Sequence, residues 1–206
     1  DNTLKRAAFG TEKKLYTFFG GVNYDITPIT STVTVTNGLN TTSGSTRIVV
    51  STTNTLETGD FVEFTSMTAT VGGNIFLTSG SDFAVSSIDS GSFAIETSTT
   101  AAATSASTGT VTANFLLPTG TTDAVAGLGW NAGYYGQSTW GTPRSASDIV
   151  ISPRQWKLDT WGEDFVANDR GGRVYYWDTT QGQDYRAVLV SAAPSVSNSI
   201  VVSQED

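Results

Sequence analysis

Neither cysteine nor histidine occurs among the 206 residues of the chain. Without cysteine there is no disulfide framework, no thiolate nucleophile and no zinc–thiolate site. Without histidine the usual acid–base group near neutral pH is missing, so a Ser-His-Asp or Cys-His mechanism cannot be built within this chain. What remains open to an enzyme is carboxylate chemistry, such as a glycosidase pair, or a Lys or Tyr base. Positive charge is also scarce: 11 Lys and Arg stand against 19 Asp and Glu, a net charge of −8. Only Lys5-Arg6 and Lys13-Lys14 are adjacent, whereas a phosphate-gripping surface needs clustered cations, so stable nucleic-acid binding is not expected. No apolar run approaches the roughly 20 residues of a membrane-spanning segment. The opening stretch, DNTLKRAAFG, lacks the apolar core of a secretory signal and carries no initiator Met, which points to a processed terminus or an internal cut.

What fills the chain instead is Thr, Ser and Gly beside 38% hydrophobic residues, the composition of an all-β protein with abundant turns. Three textures succeed one another. Residues 1–30 carry a dense hydrophobic pattern from Phe9 to Ile29. Residues 31–118 are poor in charge and aromatics and rich in Thr and Ser. Residues 119–206 regain both and hold all five Trp. In the middle region Thr32-Val33-Thr34-Val35-Thr36 alternates with period two, as a half-buried strand does. Further strands are expected at Thr46–Thr52, Asp60–Ser66, Asn74–Thr78, Asp82–Ile88, Ser92–Thr97 and Thr110–Leu117, with Thr99–Thr108 as a loop. Turn signals lie between them, among them Gly72-Gly73-Asn74 and Asp89-Ser90-Gly91, and the set reads as a small β-sandwich or barrel.

The outer regions share a Gly-Gly-x-x-Tyr element: Gly20-Gly21-Val22-Asn23-Tyr24 and Gly171-Gly172-Arg173-Val174-Tyr175. An apolar strand precedes each, Lys14–Phe19 and Glu163–Ala167. The glycines are expected to supply positive φ for tight hairpins, and such a repeated hairpin is a β-propeller blade signature. About 150 residues separate the two turns; without residues 31–118 about 60 remain, close to a blade repeat of roughly 40–50 plus a linking loop. The reading is an all-β chain of partial propeller-like blades: residues 1–30 form a first hairpin, 31–118 an inserted β-domain, and 119–206 a Gly/aromatic loop with further blade strands. A closed propeller needs about four to eight blades. With a last strand expected at Ser199–Val202, the chain reads as a fragment of a longer polypeptide.

Several residues invite a chemical reading. Glu163-Asp164, with Asp159 and Asp169 nearby, is the densest acidic cluster and could be a glycosidase pair, whose carboxyls sit about 5–10 Å apart. Neighbouring strand residues point to opposite faces, which favours solvated hairpin positions instead. Asp82, Asp89 and Ser90-Gly91 lack the close spacing of a calcium loop, so turn chemistry is expected there. Gly127-Leu128-Gly129-Trp130 lacks the Lys-Ser/Thr and following helix of a phosphate loop and reads as a connector. Trp130, Tyr134, Tyr135 and Trp140 could stack on sugars or fill a partner's pocket, but packing onto the chain's own core or a neighbouring subunit is preferred. Trp156, Trp161, Tyr175, Tyr176 and Trp177 are expected in the core of alternating strands. No catalytic, cofactor or metal residue is assigned.

The segment from Arg154-Gln155-Trp156-Lys157-Leu158-Asp159-Thr160-Trp161-Gly162-Glu163-Asp164 to Asp169-Arg170-Gly171-Gly172-Arg173-Val174-Tyr175-Tyr176-Trp177-Asp178 resembles tail proteins of short-tailed bacteriophages. So do Phe9-Gly10-Thr11, Lys14-Leu15-Tyr16 and Tyr24-Asp25-Ile26-Thr27-Pro28, and the loop Gly129-Trp130-Asn131-Ala132-Gly133-Tyr134-Tyr135-Gly136 through Trp140-Gly141-Thr142. The resemblance covers about half the chain, in its outer regions. It implies a non-enzymatic virion structural protein of the tail tube or nozzle, assembled in the host cytoplasm. Propeller-bearing subunits would form a ring there, typically a hexamer, with other tail proteins around the path of the ejected DNA. An acidic lumen would let that DNA slide. The competing readings are a host-glycan-binding adhesion module of the tail and, third, a glycosidase.

Overall fold

The computed structural model of the chain describes residues 5–68, 70–106, 109–120 and 153–203. The protein is all-β, in three antiparallel sheets. Among the described residues no helix is long and apolar enough to cross a membrane.

The first sheet is a meander of β1 (Ala7–Gly10), β2 (Leu15–Phe19) and β3 (Val22–Asp25). The β2–β3 turn is two residues long, Gly20-Gly21, with φ of 60° and 87°, the double positive φ of a hairpin turn that matches strand twist. On β2, Leu15 and Thr17 are buried while Phe18 is exposed, so alternation puts one face inward.

The second sheet takes its strands from residues 29–116: β4 (Ile29–Thr36), β5 (Leu39–Thr41), β6 (Arg47–Ser51), β7 (Phe61–Thr65), β8 (Asp82–Asp89), β9 (Ser92–Glu96), β10 (Ser105–Ala106) and β11 (Thr110–Leu116). Their order is β10-β5-β6-β9-β8-β7-β11-β4. Strand β8 is the fold line. Its first residues, Asp82–Ala84, pair with β7, and the rest, from Val85, pair with β9. The sheet therefore doubles over, and both halves face one core of Ile48, Val50, Val62, Phe64, Phe93, Ile95 and Phe115 among others. The edge strands β10 and β4 do not pair with each other, so this is an open, folded-over sheet and not a closed barrel.

The third sheet is a four-stranded meander, β12 (Trp156–Trp161), β13 (Asp164–Asp169), β14 (Val174–Trp177) and β15 (Val188–Leu189). It stacks on the first sheet around a second core of Leu15, Ile26, Leu117, Phe165, Ala167, Tyr175, Trp177 and Ala187. Backbone and indole bonds stitch the two sheets: Ala187 N donates to Ile26 O, and Trp156 Nε1 donates to Thr11 O. Two meanders of this kind do not close a propeller.

Some expectations are corrected. Asn74–Thr78 is not a strand; it contributes only a Val71–Ile75 bridge that closes a glycine turn. Ser199–Val202 joins no sheet, because that tail crosses the outer face of the third sheet, where Val202 N donates to Asp159. Part of the expected loop Thr99–Thr108 supplies the short strand β10. In the second Gly-Gly turn only Gly171 has positive φ, at 84°. Gly172 is there for room: a Cβ would lie 1.7 Å from Asp169 Oδ1.

Candidate functional site

Where the three sheets meet, five charged side chains converge. Lys14 precedes β2, Asp25 ends β3, Glu63 lies in β7, Asp82 opens β8, and Arg186 precedes β15. Lys14 Nζ donates to Asp25 at 2.7 Å and to Asp82 at 2.6 Å. Arg186 donates to Asp82 at 2.7 Å, Glu63 at 3.0 Å, Asp25 at 3.4 Å and the Thr27 carbonyl at 3.1 Å. All five side chains keep only 9–20% of their exposure. The Lys14 ammonium also sits 4.4 Å from the Phe61 ring centre, a cation–π contact.

Three carboxylates facing two cations make an electrostatically strained group. Asp25 and Asp82 also hydrogen-bond each other, so they titrate as a pair. Burial pushes Asp82 up, the neighbouring Asp25 adds to it, and together they outweigh Arg186 and Lys14, leaving the carboxyl at about 6. Burial also opposes the ionisation of Asp25, but hydrogen bonds from Asp82, Lys14 and Thr27 hold it far below the ordinary carboxylate range. The Lys14 ammonium is held above its ordinary value because its bonds to both aspartates outweigh its burial. The arrangement is a clasp between the folded-over sheet and the sandwich of the other two.

A second concave site lies at the open end between the first and third sheets. It encloses about 280 Å³, lined by Arg6, Ala7, Ala8 and Thr17 on one side and by Thr160, Gly162, Glu163, Asp164, Phe165 and Trp177 on the other. Phe165 and Trp177 stack at its base, ring centres 5.2 Å apart. The Arg6 guanidinium lies over the Phe19 ring at 4.8 Å. Thr17, only 1% exposed, has a hydroxyl with no hydrogen-bond partner.

The acidic cluster of the sequence is dispersed over different tasks. Asp164 accepts from the Tyr176 hydroxyl and from Thr179 N and Oγ1, both at 2.8 Å. Burial pushes Asp164 up, but the bonds from Tyr176 and Thr179 win and hold it below its ordinary range. Such a carboxyl is poorly suited to be a general acid. Glu163 sits exposed in the β12–β13 turn. Asp159 caps the tail through Val202 N at 2.7 Å, and Asp169 pairs with Arg154 at 3.5 Å. Asp169 and Asp164 stand at opposite ends of β13, about 16 Å apart at strand rise.

Asp89 Oδ1 accepts from Gly91 N at 2.8 Å and Ser92 Oγ at 3.0 Å, which is turn chemistry, while Asp82 belongs to the clasp. Among the described residues no group of His, Cys, Asp and Glu could hold a metal ion. Gly127–Trp130, Tyr134, Tyr135 and Trp140 lie outside the described residues. Of the strand aromatics, Tyr175 and Trp177 are buried, Trp156 and Tyr176 partly so. Trp161 is 62% exposed, against expectation. Its parity explains this: Trp156 and Leu158 face the core, so Trp161 points to the other side, edge-on to Tyr176 at 6.5 Å.

Sequence reasoning missed the clasp, whose members are spread from position 14 to position 186. One local signal existed: Glu63 sits inside the apolar run Phe61-Val62-Glu63-Phe64, and a carboxylate there requires a partner.

No protein-family model matches the chain. No curated protein matches it. Among solved structures the chain is similar to one titled Phage phi92 endosialidase, with a TM-score of 0.35 and 15% identity, over 89% of this chain and 29% of that one. The chain thus spans less than a third of that protein's length. A score of 0.35 does not establish a shared fold.

Proposed function

We propose that this chain is a non-enzymatic structural part of a short-tailed phage tail, packed in a ring of its own copies with other tail proteins. The tube or nozzle is the place in the tail that the resemblance of residues 154–178 implies. The observation that carries the assembly reading is an apolar outer surface on the third sheet and its tail. Trp161 and Val201 are 62% and 84% exposed. Beside them runs a groove of about 1070 Å³ lined by Trp161, Val166, Val174, Ile200 and Val201. Grouped exposed apolar side chains of this kind mark protein–protein contact surfaces, and an aromatic such as Trp161 is the usual anchor.

The clasp fits the same role, because a building block under load gains from having its sheets locked together. The acidic balance, −8, would keep passing DNA from adhering. Native mass spectrometry of the full-length protein tests the proposal. A multimer is expected, with Trp161→Lys and Val201→Glu shifting it toward monomer. A monomer at all concentrations that joins no tail component would overturn it.

A further inference from the structure

We propose that strand β4 is a pairing edge, and that its partner is β4 of a second copy of this chain, antiparallel across a two-fold axis centred on Thr34. Among the described residues β4 is the longest edge strand, Ile29–Thr36, and nothing there pairs with its outer side. Sheet edges are ordinarily blunted by shortness, charge, proline or a bulge. The edge strands β10 and β15 have two residues each, β1 and β3 have four, and β12 carries Lys157 and Asp159. Strand β4 holds no charge and no proline, and its one irregularity lies at its start, beside Thr30. The bond from Asn37 N to Gly109 O sets the phase of the ladder with β11. By that phase Val33 and Val35 direct their backbone groups to β11, while Thr32, Thr34 and Thr36 direct theirs outward.

The residues of the edge select what fits it. Antiparallel pairing centred on Thr34 sets Thr32 against the second copy's Thr36, Thr34 against its Thr34, and Val33 against its Val35. Every Thr then meets a Thr on the exposed face and every Val a Val on the core face, both favourable cross-strand pairs. Moving the centre to Val33 would set Val35 against Ser31 and draw in Thr30, whose hydroxyl is turned to the Phe115 carbonyl. The three outward pairs exchange about six backbone hydrogen bonds. Charge favours the same partner. The chain carries −8, so two copies repel over most of their surfaces, whereas neither β4 nor its neighbour β11 has a charged residue. A two-fold contact closes on itself, so it joins two copies and does not grow into fibres. The edge belongs to a different sheet from the Trp161 surface, and the pairing does not rest on the tail reading.

The test uses the full chain carrying Trp161→Lys and Val201→Glu, which removes the other proposed contact. Sedimentation is expected to show a concentration-dependent dimer. Thr34→Lys should weaken it about fivefold, since two ammonium groups then stand directly opposite, while Thr112→Lys on the adjacent strand should not. Because the chain has no cysteine, one introduced thiol reports the register. Thr34→Cys is expected to cross-link two copies under mild oxidation, the paired Cα atoms standing about 5.5 Å apart, within disulfide reach. Thr36→Cys, also exposed but roughly 14 Å from its symmetry mate at strand rise, is expected not to cross-link. Unchanged amide spectra away from β4 show that each variant is folded. A monomer at every concentration, assembly beyond dimers, equal weakening by Thr112→Lys, no cross-link at Thr34→Cys, or an equal one at Thr36→Cys would each overturn the proposal.

Discussion

Replacing Arg186 by Ala removes the side chain that ties the segment before β15 both to the folded-over sheet, at Glu63 and Asp82, and to the first sheet's end, at Asp25 and Thr27. Asp25 and Asp82 would then share Lys14 alone, and Glu63 would lose its ion pair. Breaking a buried ion pair by removing one partner costs about 3–5 kcal/mol, and the residual exposure of 9–20% places this site at the lower end, about 3 kcal/mol. That is a large part of the 5–15 kcal/mol of a typical domain. The assay is urea unfolding followed by two probes. All five Trp lie outside residues 31–118, and Trp156, Trp161 and Trp177 stand on the third sheet, so in a Trp130→Phe, Trp140→Phe background indole fluorescence reports the sandwich. Fluorine-labelled Phe64, Phe93 and Phe115 report the folded-over sheet. In the parent protein the two transitions should coincide. In Arg186→Ala both midpoints should fall and the transitions should separate. Arg170→Ala, whose side chain makes one exposed bond to Gln155, is the control and should cost under about 0.5 kcal/mol. A loss below about 1 kcal/mol with transitions still coincident would refute the clasp.

Other consequences follow from the same geometry. Asp82 is raised from 3.8 to about 6, so its contribution is fully present below pH 3.8 and is lost as pH rises through about 6; Asp25 is lowered, so its contribution is present above 3.8 and lost on acidification. Stability should therefore peak near pH 4 to 5 and decline to both sides, and Asp82→Asn should flatten the neutral side in thermal scans; an unchanged slope would contradict the pairing. Gly20→Val and Gly171→Val should each cost more than about 1 kcal/mol in urea unfolding, because both backbones are left-handed with no neighbour within 4 Å to blame instead. We also propose that residues 31–118, with Ile29 and Thr30, fold alone as an inserted domain, which a dispersed amide spectrum of that segment would support and a random-coil spectrum would contradict.

Much of the strand pattern was legible because half-buried strands write their period into the sequence. Val33 and Val35 alternate with Thr on β4, and Gly20-Gly21 announces the first hairpin. The doubling of the second sheet at β8 was not legible, since the switch of partners at Val85 changes neither period nor composition. Trp161 was misplaced because richness in aromatics says nothing about which parity faces the core. The clasp was hidden for a different reason. Ion pairs between Lys14 and Asp82, or Glu63 and Arg186, join positions 68 and 123 residues apart, and only the packed sheets bring them together. The cleft depends likewise on stacking two meanders whose sequences are separated by the whole folded-over sheet.

The central claim is that the chain is a structural ring component of a phage tail. Electron cryomicroscopy of purified particles whose genome encodes this chain tests it most directly. The account predicts density for several symmetry-related copies in the tail, with Trp161 and Val201 buried against a neighbour. Particles whose tail density has no place for the three-sheet unit, or copies with Trp161 and Val201 facing solvent, would contradict it.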